Sequence, residues 1–502
     1  MPLSRELPAP SGPYRVGAID IEAPCDGRLI HAATHLSSGE AAFQLDTVLF
    51  TLYYPAEPDF AAHKPRHRWL IEPARLRGEG FARFANISNW VIDRVFAFLL
   101  WALVGRLEIP ADVDVPLRDP RVSAPAEALD KSLESSERTR YPVVVFSHGM
   151  AASRTDYTQL CGELASRGYI VAAIEHRDGS GPGSVVRRGG GRHGTVLATD
   201  MNQRKGSGLG RARSIRKVMH FATQHLQSEK PLDKVSLQHA QLAFREAEME
   251  ETVRVLRMVD SGQGKSVFRH NARGEGVHLA GWKGRLDIER VILAGHSYGA
   301  TGALRACGNR MPEASFPAPL PIAGCVALDP GKASGPLNDK IAVPLLVIHS
   351  HSWSRKISLF MGRPHFDVVR DLVQGCLSRT GAAWFMTSLG TSHPSCTDAP
   401  VIQPLLLGWV TGATVEAREG VLQYVRRMQE FIDFVVGGNA GGLLGKGVTH
   451  PEYLEEPLVS WKKAGPRDWK KDWQIHVAPE GEGAFIIGYF QQWDMGQGVS
   501  KH

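Results

Sequence analysis

The pentapeptide Gly295-His296-Ser297-Tyr298-Gly299 occurs once in the chain, directly after the apolar run Val291 to Ala294. A serine hydroxyl is a weak nucleophile at neutral pH, and it attacks a carbonyl only when a base takes its proton and an acid holds that base. A sharp strand-to-helix turn suits this chemistry. It strains the serine backbone, lifts the hydroxyl above a sheet, and places it at a helix amino terminus whose N–H groups favour a developing oxyanion. Glycines are expected at 295 and 299, because side chains there would collide with the neighbouring strand and helix. Ser297 is therefore the candidate nucleophile, with Gly295 and Gly299 shaping the elbow.

On such an elbow the partners follow in the order serine, acid, histidine. Asp329 closes the run IAGCVALD and is followed by Pro-Gly, a turn where the acid belongs, whereas the next run, VPLLVIHS, ends without a carboxylate. His393, in the loop GTSHPS after AAWFMTSL, is the expected base. His349 and His351 compete for that role, and His365 competes less because it opens a helix. The loop after an earlier strand, SHGMAASRTDY, offers the N–H of Met150 as an oxyanion donor beside that of Tyr298. The histidines are scattered singly and no loop is rich in carboxylates, so neither zinc nor calcium is implied and no cofactor is expected.

These residues need a parallel sheet to bring them together. YPVVVFSHG, YIVAAIEH, VILAG, IAGCVALD, VPLLVIHS and AAWFMTSL are short apolar runs of the kind buried on both faces of a sheet, and helical segments alternate with them. HAQLAFREAEMEETVRVLRMV, with Leu242, Met249, Val253 and Leu256 in phase, reads as a long amphipathic helix. Residues 42 to 54 read as one strand. The expected organisation is an N-terminal segment 1–129 with strands and an apolar helix belonging to the same domain. A catalytic core 130–436 with a basic Gly-rich insertion at 184–217 follows, and then a Trp- and Lys-rich extension 437–502.

Composition excludes several classes. With 43% hydrophobic and 22% charged residues the 502-residue chain is globular, not disordered or fibrous. The net charge of +6 is concentrated between Arg187 and Lys217, with only Asp200 in opposition; no aromatics interleave it, so nucleic acid is not an expected partner. Six dispersed cysteines without a Cys-x-x-Cys fit buried thiols in a reducing compartment. The first residues lack a secretory h-region and a glycine at position 2, so the expectation is a cytoplasmic protein without a myristoyl anchor. Val95 to Gly105 is apolar but about half the roughly 20 residues a bilayer span requires.

FSHGMAASRTDY, YIVAAIEHRDGS, GHSYGA, VALDP and GTSHPS, with VLFTLYYPAE and PADVDVPL before them, resemble the platelet-activating-factor acetylhydrolase family, calcium-independent phospholipases A2 of the plasma and intracellular type II kind. The resemblance runs from about residue 15 to 435, and its EHRD and SHG-x-x-x-x-R elements are more specific than the elbow. It implies an α/β-hydrolase fold and hydrolysis of a short or oxidised sn-2 acyl ester of a phospholipid, with Ser297 as nucleophile, His393 as base and Asp329 as its orienting acid. It also implies an interfacial role for the apolar segment Trp90–Leu107, aided by the basic loop, against the alternative that this helix covers the core. Another carboxylester hydrolase of the same fold, a transacylase, and a non-catalytic lipid-binding protein are the competing expectations. The basic insertion and the Trp-rich tail depart from the family pattern.

Overall fold

A computed structural model of the chain describes residues 6–121, 139–187, 215–308, 320–332, 334–355, 359–360, 362–404, 411–455 and 469–480. Most of the basic insertion, the expected boundary at 129/130 and part of the Trp- and Lys-rich tail lie outside the described residues.

Ten strands form the main sheet: β1 (Val16–Pro24), β2 (Thr47–Pro55), β3 (Asp112–Val113), β4 (Tyr141–Ser147), β5 (Ile170–Ile174), β6 (Leu286–His296), β7 (Ile322–Leu328), β8 (Leu345–Ser350), β9 (Ala383–Ser388) and β10 (Trp473–Val477). Their order across the sheet is β10-β9-β8-β7-β6-β4-β5-β2-β1-β3. From β9 to β5 every neighbouring pair is parallel, while β2 on β5, β1 on β2 and β10 on β9 are antiparallel. The parallel strands are rich in β-branched and aliphatic residues because both faces are covered. Val143 and Val145 point into one apolar layer and Val144 and Phe146 into the other.

The helices that cover these faces are α3 (Thr158–Ala165), α4 (Lys234–Met258), α5 (Tyr298–Ala306), α6 (His365–Thr380) and α7 (Ala417–Gly437); α1 (Ala74–Phe84) and α2 (Trp90–Val104) form a separate helical pair. Met249, Val253, Ala300, Ala303, Leu304 and Val369 bring α4, α5 and α6 to one face. Leu160, Leu164, Tyr424, Met428 and Phe431 bring α3 and α7 to the other. This mostly parallel, doubly covered sheet is the α/β architecture expected from the strand–helix alternation.

Two readings need correction. Residues 42 to 54 are two strands in different sheets: Ala41–Gln44 pairs with Leu29–His35, and β2 begins at Thr47. The chain turns at Leu45 and Asp46, whose carbonyls accept from Gly27 and Cys25. Helix α4 is not amphipathic, since Gln238, Gln241, Arg245, Glu246, Glu248 and Glu251 are buried beside its apolar residues; ion pairs and hydrogen bonds described below make that burial tolerable. Within the extension, Trp473–Val477 is an edge strand of the main sheet.

Candidate active site

The elbow sits where β6 hands over to α5. Ser297 takes φ 55° and ψ −119°, a backbone conformation unusual for a residue with a side chain. A Cβ on Gly295 would lie 2.3 Å from the carbonyl oxygen of Gly299, and one on Gly299 would lie 2.0 Å from that of Ser147. Both approaches are impossible for any other residue type, so the two glycines are steric necessities of the turn. The N–H of Ser297 donates to the Leu328 carbonyl at 2.9 Å, tying the elbow to the neighbouring strand end that carries the acid.

Asp329 follows β7 with φ 46°, and its own N–H donates to the Ile348 carbonyl. The backbone N–H and hydroxyl of Ser350 donate to its two carboxylate oxygens at 2.6 and 2.7 Å. His393, in the single turn His393–Cys396, places Nδ1 at 2.9 Å from Asp329 Oδ2. With the carboxylate accepting at Nδ1, the proton sits there and Nε2 is left as the basic nitrogen. Thus Asp329 and His393 are brought together beside the elbow. His349 is buried and bonded to Ser354 at 3.2 Å, His365 stacks on His349, and His351 faces Tyr453, whereas the imidazole bonded to Asp329 is that of His393.

The loop after β4 closes over the serine. A Cβ on Gly149 would come within 3.3 Å of Ser297 Cβ, which is why this position has none. The N–H of Gly149 donates to Tyr157 Oη and that of Ala151 to the Ser180 carbonyl, leaving the N–H of Met150 between them without an acceptor among the described residues. Tyr298 opens α5, where N–H groups have no intrahelical acceptor. The two proposed oxyanion donors are thus both uncommitted.

Sequence reading missed what braces this loop. Every side chain of the EHRD element is buried and partnered. Glu175 accepts from Arg154, the arginine of SHG-x-x-x-x-R, which also binds Asp20; Arg177 binds Glu22; His176 bridges Ser147 and Glu248. Asp178 accepts from Arg245 of α4 at 2.7 Å. Arg245 in turn donates to the His148 carbonyl at 2.6 Å and lies 4.7 Å from the centre of the Tyr298 ring. One guanidinium therefore contacts both the turn that leads to Met150 and the ring of Tyr298. Burial pushes the Asp178 carboxyl up, but Arg245 and the hydrogen bonds from Ser180 together outweigh it and the group is held below its ordinary range. Burial, followed by the Arg245 charge, pushes His148 down to about 3. Burial raises Glu248 and lowers His176, drawing that pair toward neutral forms.

His296, between the elbow's glycine and serine, packs its ring 4.5 Å from that of His393 and shares a hydrogen bond with Tyr157 Oη at 2.8 Å. Burial, then the neighbouring His393, holds it well below the usual imidazole range, so it stays neutral. Ring nitrogens of His296 and His393 and an Asp329 oxygen lie within 4.8 Å of one another. A cation there would have to displace the hydrogen bonds already made to Asp329, so the cluster fits an acid–base pair better than a ligand set.

A family model for platelet-activating factor acetylhydrolase, isoform II, matches residues 3–433. The platelet-activating factor acetylhydrolase of Gallus gallus is 24% identical over 305 residues, 61% of this chain and 57% of that protein. That of Canis lupus familiaris is 25% identical over 257 residues, 51% and 45% respectively. A putative phospholipase A2 of Schizosaccharomyces pombe is 28% identical over 305 residues, 59% and 58%. The chain spans about half the length of the curated relatives it matches. Among solved structures, a ferulic acid esterase from Streptomyces cinnamoneus superposes with a TM-score of 0.50 at 16% identity, covering 94% of this chain and 99% of that one. That likeness bears on the fold alone, and it agrees with an α/β-hydrolase.

Proposed function

The chain belongs to the platelet-activating factor acetylhydrolase, isoform II, family, and from that premise we infer that it hydrolyses the sn-2 ester of phospholipids carrying a short or oxidised acyl chain. The reaction is serine-dependent and needs no calcium. The observation that carries the reading is the 2.9 Å bond from His393 to Asp329 beside a serine held at φ 55°. Family membership supports the short-chain phospholipid as substrate.

In this reading the Oγ of Ser297 attacks the sn-2 carbonyl while Nε2 of His393 takes its proton. The carbonyl oxygen becomes an oxyanion that accepts from the N–H groups of Met150 and Tyr298. Asp329 keeps the imidazole oriented and offsets its positive charge. As the tetrahedral intermediate collapses, the lysophospholipid oxygen leaves with the proton from His393. Water, deprotonated by the same ring, then attacks the acyl-serine and releases the free acid.

Among the described residues no helix is long and apolar enough to cross a membrane. We place the substrate-bearing surface against α2 instead. Trp90, Val91, Val95, Phe98, Leu99, Trp101 and Leu103 are all exposed, and Val104 alone of this helix is buried. A helix covering the core would bury this surface, whereas one lying in a lipid interface leaves it outward.

The deciding experiment is release of acetate from a 2-acetyl phosphatidylcholine and of the fatty acid from a long-chain analogue in the presence of EDTA, with wild type and Ser297→Ala. Turnover of the acetyl substrate by wild type, absent in Ser297→Ala, is expected. Turnover of neither lipid, with Ser297 still labelled by a fluorophosphonate, would assign the triad to other carboxylic esters. Lipid binding without labelling would leave a non-catalytic lipid-binding protein.

A further inference from the structure

The proposed base is held from a side that the serine, acid and histidine do not account for. The indole of Trp353 lies parallel to the His393 imidazole, with ring centres 3.9 Å apart and an interplanar angle of 10°. Trp353 sits in the short helix His351–Arg355, which follows β8, so it reaches the histidine from a different strand than the one delivering the acid. Its ring is itself pinned: Nε1 donates to the Pro330 carbonyl at 3.0 Å. The Lys332 ammonium donates to the Trp353 carbonyl at 2.7 Å and lies 4.6 Å from the indole centre. The residue before Trp353 is also engaged, since Ser352 Oγ accepts the backbone N–H of His393 at 3.0 Å.

We propose that Trp353 is a positioning residue for His393, and that the turn Asp329-Pro330-Gly331-Lys332 therefore holds the base twice. One route is direct, from the Asp329 carboxylate to Nδ1. The other runs from Pro330 and Lys332 through the indole to the face of the imidazole. A single hydrogen bond at Nδ1 leaves the ring free to swing about the bond's axis. A parallel aromatic surface at van der Waals distance removes that freedom, because rotation would drive the imidazole edge into the indole. Nε2 is then kept on one line of approach to Ser297. The indole face also offers its negative quadrupole to the imidazolium that forms when the serine proton is taken, and His296 on the ring's neighbouring side stays neutral and does not oppose that charge.

The inference rests on His393 serving as base, and its test reads that step without a lipid. Wild type, Ser297→Ala, Trp353→Leu and Trp353→Phe are compared for the rate of Ser297 labelling by a fluorophosphonate and for kcat and KM on p-nitrophenyl acetate, with melting temperatures recorded. Misplacing a reacting group by an ångström costs up to about 100-fold. Trp353→Leu is therefore expected to lower both the labelling rate and kcat about 10- to 100-fold with KM changed less than about two-fold. Trp353→Phe, which restores an aromatic face, should recover most of the loss. Should Trp353→Leu not fold, Trp353→Met carries the same expectation. Labelling and kcat within two-fold of wild type in the aliphatic variant, a loss confined to KM, or no recovery in Trp353→Phe would each overturn the proposal. A wild type that is not labelled, or is labelled as fast as Ser297→Ala, would instead overturn the hydrolase reading itself.

Discussion

Asp329 sits in the left-handed region, where aspartate and asparagine are tolerated better than most residues. Asp329→Asn therefore tests chemistry with little backbone penalty. The amide can turn its NH2 toward Nδ1 and select the wrong tautomer, and loss of kcat on the order of 10⁴-fold is expected. His393→Ala should lose as much, while His351→Ala, whose ring contacts Tyr453 and not the carboxylate, should stay near wild type. Steady-state kinetics with circular dichroism on the three variants checks this, and activity close to wild type in either of the first two would mean the wrong partner was assigned. Ser297, Asp329 and His393 were legible in the sequence because each sits in a short local signature: an elbow, an Asp-Pro-Gly turn, a loop after the last parallel strand. Trp353, Tyr157 and His296 were not, because their roles exist only in contacts between segments brought together by the sheet. Nothing in SHSWSR states that its tryptophan will lie flat on a histidine 40 residues later.

At the scale of elements the same distinction holds. The parallel strands announced themselves by continuous apolar runs, but α4 misled, because Arg245 and Glu248 look like a solvent face until their partners Asp178 and His176 are known. Helix α2 is the reverse case, an apolar helix that the fold leaves uncovered. It is held to α1 by a close approach at Gly78, where a Cβ would lie 2.5 Å from the Ala97 nitrogen, and α1 is seated on Pro182 at Gly80. An outward Phe98 adds about 1.5–3 kcal/mol when buried in an apolar phase, so Phe98→Asp should weaken partitioning to anionic vesicles roughly 10- to 100-fold. Cosedimentation at low and high salt measures it, with melting temperature as the check on folding. If basic residues add to the attraction, binding by wild type also falls with salt. Unchanged cosedimentation of a folded Phe98→Asp would remove α2 from the membrane contact.

For the whole molecule, the density of buried imidazoles sets the response to acid. Among the described residues, ten histidines are pushed below their ordinary value, in each case chiefly by burial. One histidine, His67, is raised, its burial outweighed by Asp20 and Glu275, and three carboxyls, Glu248, Asp398 and Glu430, are raised by burial. A lowered histidine stays neutral in the native state while the unfolded chain takes its proton, so stability is lost as pH falls from about 6.5 toward the native value. The four raised groups act in the opposite sense, because the native state binds their protons first. The lowered rings outnumber the raised groups, and the expectation is a net loss on acidification. His148 and His365, both held at about 3 and both buried, illustrate the size. At pH 5 each costs about 2 kcal/mol relative to neutral pH; Glu430, raised to about 7, and Asp398, raised to about 6, offset a comparable amount, and the other lowered rings add to the loss. The melting temperature should therefore drop steeply between pH 6.5 and 5, well above the range where ordinary carboxylates titrate. Differential scanning calorimetry across pH 7.5 to 4.5 tests it. A melting temperature flat down to pH 5 would show that these rings are not kept neutral in the native protein, and with that the packing drawn around His148 and the proposed oxyanion loop would fail.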